Sequence, residues 1–346
     1  MTSQIFLFCG SGGVGKTTLS AAFALHQASL GKRTLVLTVD PAKRLGTALG
    51  IDQLEGKAKP VKISGSGSLD AMMLNSKHSF DQLVERYAPT QESKDRILSN
   101  SLYKHLSEML AGSQDYMAME TLFDLDQSGK YDVIVVDTPP MQNAVDFLEA
   151  PQKMKGIIGN SILQLFLKPA MLFGKKGLSL FEKGSRQALK VLEKLTGASF
   201  LQDLGEMVVA FQELLDGFEE RAAAIEERLK SQKTKFFLVS STRSQSVFET
   251  KMFSRYLKEK SYHLGGLLLN RFLGDYNKTS PRDTDPVLKE TLALYKPLIE
   301  HDRQILKTLQ AIDAPIRTLP YLQNDIHELK DLLVLSDHFK RSSQAS

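Results

Sequence analysis

The stretch GSGGVGKTT, residues 10–18, constrains this chain more than any other feature. It satisfies G-x-x-x-x-G-K-[ST], with the apolar run IFLFC (5–9) before it and the helix-spaced segment TTLSAAFALHQASLG (17–31) after it. Such a loop works only where a strand gives way to a helix. Its glycines let successive backbone N–H groups turn inward around phosphate oxygens, and the helix N-terminus adds its positive end. Gly10, Ser11, Gly12, Gly13, Val14, Gly15, Lys16, Thr17 and Thr18 are therefore candidate nucleotide-binding residues. Lys16 is expected to reach the β- and γ-phosphates, and the Thr17 hydroxyl to ligate Mg²⁺.

The rest of the chain agrees with a nucleotide fold. Short apolar runs recur at 5–9, 34–39, 71–74, 132–136, 235–241 and 265–270, with a further candidate at 315–320. They are continuous rather than alternating, as strands covered on both faces should be. Helix-spaced segments such as 17–31 and 246–260 lie between them. The expected class is α/β: a mostly parallel, doubly wound P-loop NTPase sheet flanked by helices. Residues 92–123 also read as helical, with Leu102, Leu106, Met109 and Leu110 on one side. From 151 to 233 no strand candidate occurs, and Met207, Phe211, Leu214, Phe218, Ala222, Ile225 and Leu229 form one stripe of a long amphipathic helix. The expected organisation is an ATPase domain over 1–150 and 234–340, a helical insertion over 151–233, and a disordered tail at 341–346, with SGSGS (64–68) a flexible surface loop.

Composition removes several classes of function. The 44 basic and 40 acidic residues are interspersed and leave a net charge of +4, so no basic block marks a nucleic-acid footprint. A single cysteine, Cys9, rules out an internal disulfide and a zinc site built from several thiolates of one chain. The N-terminus lacks the charged start and long apolar core of a signal peptide. The most apolar long stretch, 157–173, carries Asn160, Gln164, Lys168 and Pro169, and it falls short of the about 20 apolar residues of a spanning helix. The expected location is the cytoplasm.

A phosphate loop needs carboxylates near the metal. Asp137 directly follows the apolar run in DVIVVDTPP, where it would hold Mg²⁺ through water. Asp40 ends TLVLTVD; it suits orientation or deprotonation of an attacking water, and an Asp-Pro pair equally initiates a turn. Lys16 and Asp40 are the candidate catalytic residues, and Thr17, Asp40 and Asp137 the candidate metal ligands.

At these residues the chain resembles a known family. GSGGVGKTT, VDPAKRLGTALG and VIVVDTPP look like the phosphate loop, first switch and second switch of the ArsA-type ATPases. That family includes the arsenite-pump ATPase, the ATPase that delivers tail-anchored membrane proteins, and a bacterial branch described as anion-transporting ATPases. It lies within the deviant phosphate-loop class of MinD, ParA and the nitrogenase iron protein. MQNAVDFLEAP (141–151), LLLNRF (267–272) and IRTLPYLQNDIHELKDL (316–332) parallel later segments. The resemblance implies ATP and Mg²⁺ as cofactors and Asp40 positioning the hydrolytic water. It also implies that Asn270, Arg271 and Pro320 lie at the adenine, and that the working form is a homodimer acting on a client or partner protein.

The departures are equally specific. The class has a signature lysine where this chain has Ser11, and Lys43 or Arg44 in the first switch stand as replacements for its charge or as solvated surface residues. With Cys9 alone, the metalloid-binding cysteines, the zinc clasp and the iron–sulfur cluster found among relatives have no counterpart. In the insertion, Met154, Leu163, Leu165, Phe166, Met171, Leu172, Phe173, Phe181 and Met207 suit either a groove for an apolar client helix or ordinary core. The functional expectation is a Mg-dependent ATPase working as a nucleotide-driven conformational and dimerisation switch. The alternative is a MinD- or ParA-like positioning ATPase that docks on a membrane or partner through 325–340, a segment with four acidic residues against two lysines, unlike a basic lipid-surface helix. A small-molecule kinase or ligase, and a binding module without turnover, are further readings.

Overall fold

The computed structural model describes residues 2–40, 44–51, 54, 56–74, 91, 95, 114–158, 220–275, 286–322, 326 and 328–340. The chain forms two units: Met1–Leu74, Asp124–Val145 and Arg228–Ser346 make the first, and Asn75–Phe123 with Asp146–Glu227 the second. The sequence reading kept 75–123 within the ATPase region; in the structure that segment groups with the second unit.

The first unit is built on an eight-stranded sheet. Its strands are β1 (Gln4–Gly10), β2 (Arg33–Thr38), β3 (Lys59–Val61), β4 (Ser68–Met73), β5 (Val133–Asp137), β6 (Thr234–Ser240), β7 (Leu264–Phe272) and β8 (Ile316–Pro320). They lie in the order β3-β4-β2-β5-β1-β6-β7-β8. Every neighbouring pair is parallel except β3 against β4. The described helices are α1 (Lys16–Ser29), α2 (Arg44–Leu49), α3 (Gln114–Gln127), α4 (Met141–Ile158), α5 (Ser244–Glu259), α6 (Pro286–Leu309) and α7 (Leu329–Lys340), and residues 220–230 are also helical.

Local chemistry accounts for the central strands. All five residues of β5, VIVVD, are buried, and its β-branched side chains suit a pleated surface covered on both sides. β1 and β2 are buried along most of their length as well. β3 was not expected from the sequence: three residues carry too little pattern to read. Its Pro60 has no N–H for a ladder bond, which suits an edge position.

One face of the sheet is closed by α1 and α7 through a cluster of aromatic side chains. Phe23 of α1 meets Phe6 at 5.0 Å, Phe8 at 5.4 Å and Phe237 at 5.6 Å between ring centroids. Phe339 of α7 meets Phe23 edge-on at 5.4 Å and stacks on His26 at 6.2 Å. Leu332 and Leu335 are buried in the same core. Leu332, Leu335 and Phe339 of α7 are thus spent on packing, while Leu333 and Val334 of the same helix stay exposed. No described helix is long and apolar enough to cross a membrane.

In the second unit, the buried Glu120 carboxylate is satisfied from two sides. Tyr116 Oη donates to Oε1 at 2.5 Å, and Arg221 Nε donates to Oε2 at 2.7 Å while its guanidinium lies over Phe123. A buried charge needs such partners, and this one ties residues 220–230 to α3. Several expectations lie outside the described residues: Leu102, Leu106, Met109 and Leu110, the Met154 side chain, Leu163 through Phe181, Met207 through Phe218, and the tail 341–346.

Candidate functional site

The parallel register brings the proposed site residues to one edge of the sheet. Phe8 and Thr38 both pair with Asp137, and Gly10 pairs with Val239, so the ends of β1, β2, β5 and β6 converge. Ligands of open α/β sheets bind beyond these carboxyl ends, where the strand order reverses about β1. Between β1 and α1 the loop turns through Gly13 (φ 74°) and Gly15 (φ 97°). Gly10 has no room for a side chain: a Cβ there would lie 2.4 Å from the Val239 carbonyl oxygen. No side chain caps the first turn of α1, so its N–H groups face the loop interior without a protein cap.

Three polar chains organise the loop. In the first, Lys16, only 9% exposed, donates from Nζ to the Ser11 carbonyl oxygen at 3.0 Å. Burial pushes its pKa below the ordinary lysine value; the charges of Asp137, Cys9 and Asp40 oppose that, and Arg44 adds to it. In the second, Thr17 Oγ1 donates to Asp137 Oδ2 at 2.7 Å, Thr38 Oγ1 donates to the same oxygen at 3.0 Å, and the Asp40 N–H donates to Thr38 Oγ1 at 3.2 Å. Asp137 Oδ1 is buried without a hydrogen-bond partner. Burial raises the Asp137 pKa to about 6, against the two threonine hydrogen bonds and Lys16, which lower it, and with Asp40, which raises it further. In the third, Ser11 Oγ donates to Glu249 Oε2 at 2.6 Å, and Gln245 Nε2 donates to Glu249 Oε1 at 2.6 Å. These bonds hold the Glu249 carboxyl below its ordinary pKa.

The cleft so formed has a volume of about 500 Å³. It is lined by Gly12, Gly13, Gly15, Lys16, Thr17 and Thr18 of the loop together with Asp40, Arg44 and Asp137. The donor set fits a hard divalent cation: the Thr17 hydroxyl, Asp40 and the orphan Oδ1 of Asp137 are all oxygen ligands. Mg²⁺ is typically held by one or two carboxylates together with substrate phosphates. A second cavity of about 550 Å³ opens at Gly13 between Ser241, Arg243, Arg271, His301 and Tyr321.

The residues expected at the adenine sit at the ends of β7 and β8. Asn270 does more there than expected: Nδ2 donates to the Val14 carbonyl oxygen at 2.8 Å, and Oδ1 accepts the Arg271 N–H at 3.0 Å. It braces the phosphate loop from behind, and Gly15 leaves the space for it, since a Cβ there would lie 2.5 Å from Nδ2. Arg271 holds φ 58°, and Pro320 is paired beside Phe272. Lys43 lies outside the described residues, and Arg44 stands at the cleft wall. Cys9 is wholly buried with its thiol pushed up to about 12 by that burial, which makes it an inert core residue. Sequence reasoning missed Thr38 and Glu249. A threonine two residues before Asp40, at the end of a strand, was a faint signal for the first; the second had none.

The chain matches the family of anion-transporting ATPases over residues 3–340. It is 26% identical over 270 residues to ATPase GET3 of Malassezia globosa, covering 78% of this chain and 72% of that protein. It is 25% identical over 315 residues to putative arsenical pump-driving ATPase 2 of Aquifex aeolicus, covering 90% and 92%. To putative arsenical pump-driving ATPase 1 of the same organism it is 30% identical over 158 residues, and that match spans only 39% of the relative.

Proposed function

Because this chain belongs to the anion-transporting ATPase family, whose members hydrolyse ATP, we propose that it uses Mg-ATP turnover as a conformational and dimerisation switch acting on a client or partner protein. The observation that carries this reading is the hydrogen-bonded chain from Thr17 through Asp137 and Thr38 to the Asp40 backbone. It links the phosphate loop to the ends of β5 and β2, so a change at Thr17 is felt where the segments after those strands begin.

When ATP enters, the backbone N–H groups of the loop and of the first α1 turn receive its phosphates, and Lys16 exchanges the Ser11 carbonyl for phosphate oxygens. Thr17, Asp137 and Asp40 would hold Mg²⁺, which neutralises phosphate charge when bound. Asp40 orients a water in line with the γ-phosphorus and accepts its proton. The water oxygen bonds to phosphorus, and the bond to the β,γ-bridging oxygen breaks with its electron pair leaving on ADP. As phosphate departs, Thr17 and Thr38 return to Asp137 and the linked segments reset.

The family's arsenical names do not extend to metalloid chemistry here, because the only thiol is the buried Cys9. A client is the more natural cargo, with the segment 151–233 as its receiving region. The membrane-positioning alternative is weakened by α7, which packs Leu332, Leu335 and Phe339 into the core. The test is the mass of Asp40→Asn in solution, measured by light scattering with and without Mg-ATP. The substitution retains nucleotide and blocks turnover, so the switch reading expects a nucleotide-dependent doubling. An unchanged mass refutes it.

A further inference from the structure

We propose that Arg44 is a catalytic cation supplied within the same chain, contacting the transferring phosphoryl group from its place in the lining of the cleft. The inference rests on the reading of this site as an ATPase centre. In phosphoryl transfer there is little covalent chemistry for a protein to perform, and rate comes from positioning and from positive charge at the equatorial oxygens. The described residues lining the cleft include two cations, Lys16 and Arg44. Lys16 rises from the loop itself and serves the β- and γ-phosphates in the ground state. Arg44 lines the same cleft as Asp40, the residue assigned to the attacking water, and rises from α2 rather than from the loop.

Position 11, the first residue after the leading glycine, supplies no charge. Its hydroxyl is committed to Glu249 at 2.6 Å, so the loop brings an acidic neighbour to that side rather than a basic one. Any charge beyond Lys16 has to come from elsewhere.

The placement of Arg44 is built rather than incidental. It begins α2, and Leu45, Ala48 and Leu49 of that helix are buried in the main core. Gly46 packs so closely on the next turn that a Cβ would lie 2.6 Å from the Ile51 carbonyl oxygen. With those residues turned inward, Arg44 and Thr47 share the opposite side at i, i+3 spacing, and both line the cleft. The helix is thereby pinned with its arginine on the side that lines the cleft. The Arg44 charge is already felt at Lys16, where it adds to the depression that burial causes. An arginine suits the task because its planar fork meets two phosphoryl oxygens at once and its charge is permanent. In the step itself, water bonds to phosphorus, the bridging P–O bond breaks with its pair passing to ADP, and the water proton goes to Asp40 and then to the released phosphate. Arg44 neither gains nor loses a proton; it neutralises charge that grows on the phosphoryl oxygens.

The test is single-turnover hydrolysis at saturating Mg-ATP on the full chain, alongside ADP affinity and trapping by ADP–aluminium fluoride. Arg44→Ala is expected to slow hydrolysis by roughly a hundredfold to a thousandfold and to abolish trapping, the scale of losing one transition-state donor. ADP affinity should change by less than about threefold, because the contact forms at the transferring group. Arg44→Lys should recover part of the rate. If Arg44→Ala does not fold, Arg44→Gln with the same ADP measurement replaces it. A rate within about threefold of the parent, or a loss that follows Lys43→Ala and not Arg44→Ala, overturns the inference. Lys16→Ala and Asp40→Asn separate the two levels. If both leave hydrolysis intact, the reading of the site fails; if both abolish it while Arg44→Ala does not, only the role of Arg44 fails.

Discussion

Asp137 is held in a state that disfavours folding until a cation arrives, and the size of that cost can be worked out. The group is 1% exposed, one of its oxygens has no partner, and burial raises its pKa from the ordinary 3.8 to about 6. Below pH 3.8 the carboxyl is protonated in folded and unfolded chains alike, and nothing is lost. As pH rises the unfolded chain ionises first, so stability falls through this interval and the loss is complete above about 6. At about 1.4 kcal/mol per pH unit, the interval amounts to about 3 kcal/mol. The perturbation is Asp137→Asn, which keeps an acceptor for Thr17 and Thr38 and cannot ionise. Its amide carries a fixed cost of its own, so the informative quantity is how the difference between variant and parent changes with pH. Urea unfolding followed by circular dichroism, without Mg²⁺ or nucleotide at pH 4 and pH 7, measures it on the transition that Mg-ADP shifts. The variant should gain about 2 kcal/mol on the parent between those pH values, since part of the loss is already present at pH 4. A difference that stays flat to within about 1 kcal/mol, or that moves the other way, refutes the argument that burial governs this carboxylate. With Mg-ADP added, the parent should gain and the variant should not, because the carboxylate then has its counter-ion.

Two further outcomes follow from the packing. Phe339→Ala removes a side chain enclosed by Phe23, His26 and Arg317 and should cost about 3–5 kcal/mol, read as an earlier urea transition; an unchanged transition would free α7 for a role other than packing. Gly15→Ala forces a side chain onto a φ of 97° and onto the Asn270 amide, so Mg-ADP affinity by calorimetry should fall at least about tenfold. The double variant with Asn270→Ala should lose less than the two single losses combined, because both disturb the same brace.

Much of this architecture was readable one segment at a time. The continuous runs that became β1, β2, β4, β5, β6 and β7 announce buried parallel strands because a strand covered on both faces has no polar side, while β8 is a half-buried edge strand. β3 escaped because three residues and a proline at a sheet edge leave no periodic signal. Lys16 and Thr17 were legible because the phosphate loop is a local structure, its residues adjacent in the chain and its glycines required by its own turns. Asp40 and Asp137 were legible as residues that end apolar runs. Glu249 was not: it meets Ser11 across 238 positions of sequence, and nothing in SVFETKMF marks that glutamate from its neighbours.

The sequence by itself determined what is local: which runs are strands, where the loop forms, and that the loop is the candidate nucleotide site. These follow from side-chain hydrophobicity and backbone freedom over a few residues. Only the tertiary structure decided how the loop is held. The parallel register of β1, β2 and β5 sets Thr17, Thr38 and Asp137 on one oxygen, and the end of β7 sets Asn270 against Val14. The burial of Leu45, Ala48 and Leu49 leaves Arg44 on the side of α2 that lines the cleft. Such choices depend on desolvation and contact between segments distant in the chain, and no local pattern encodes them.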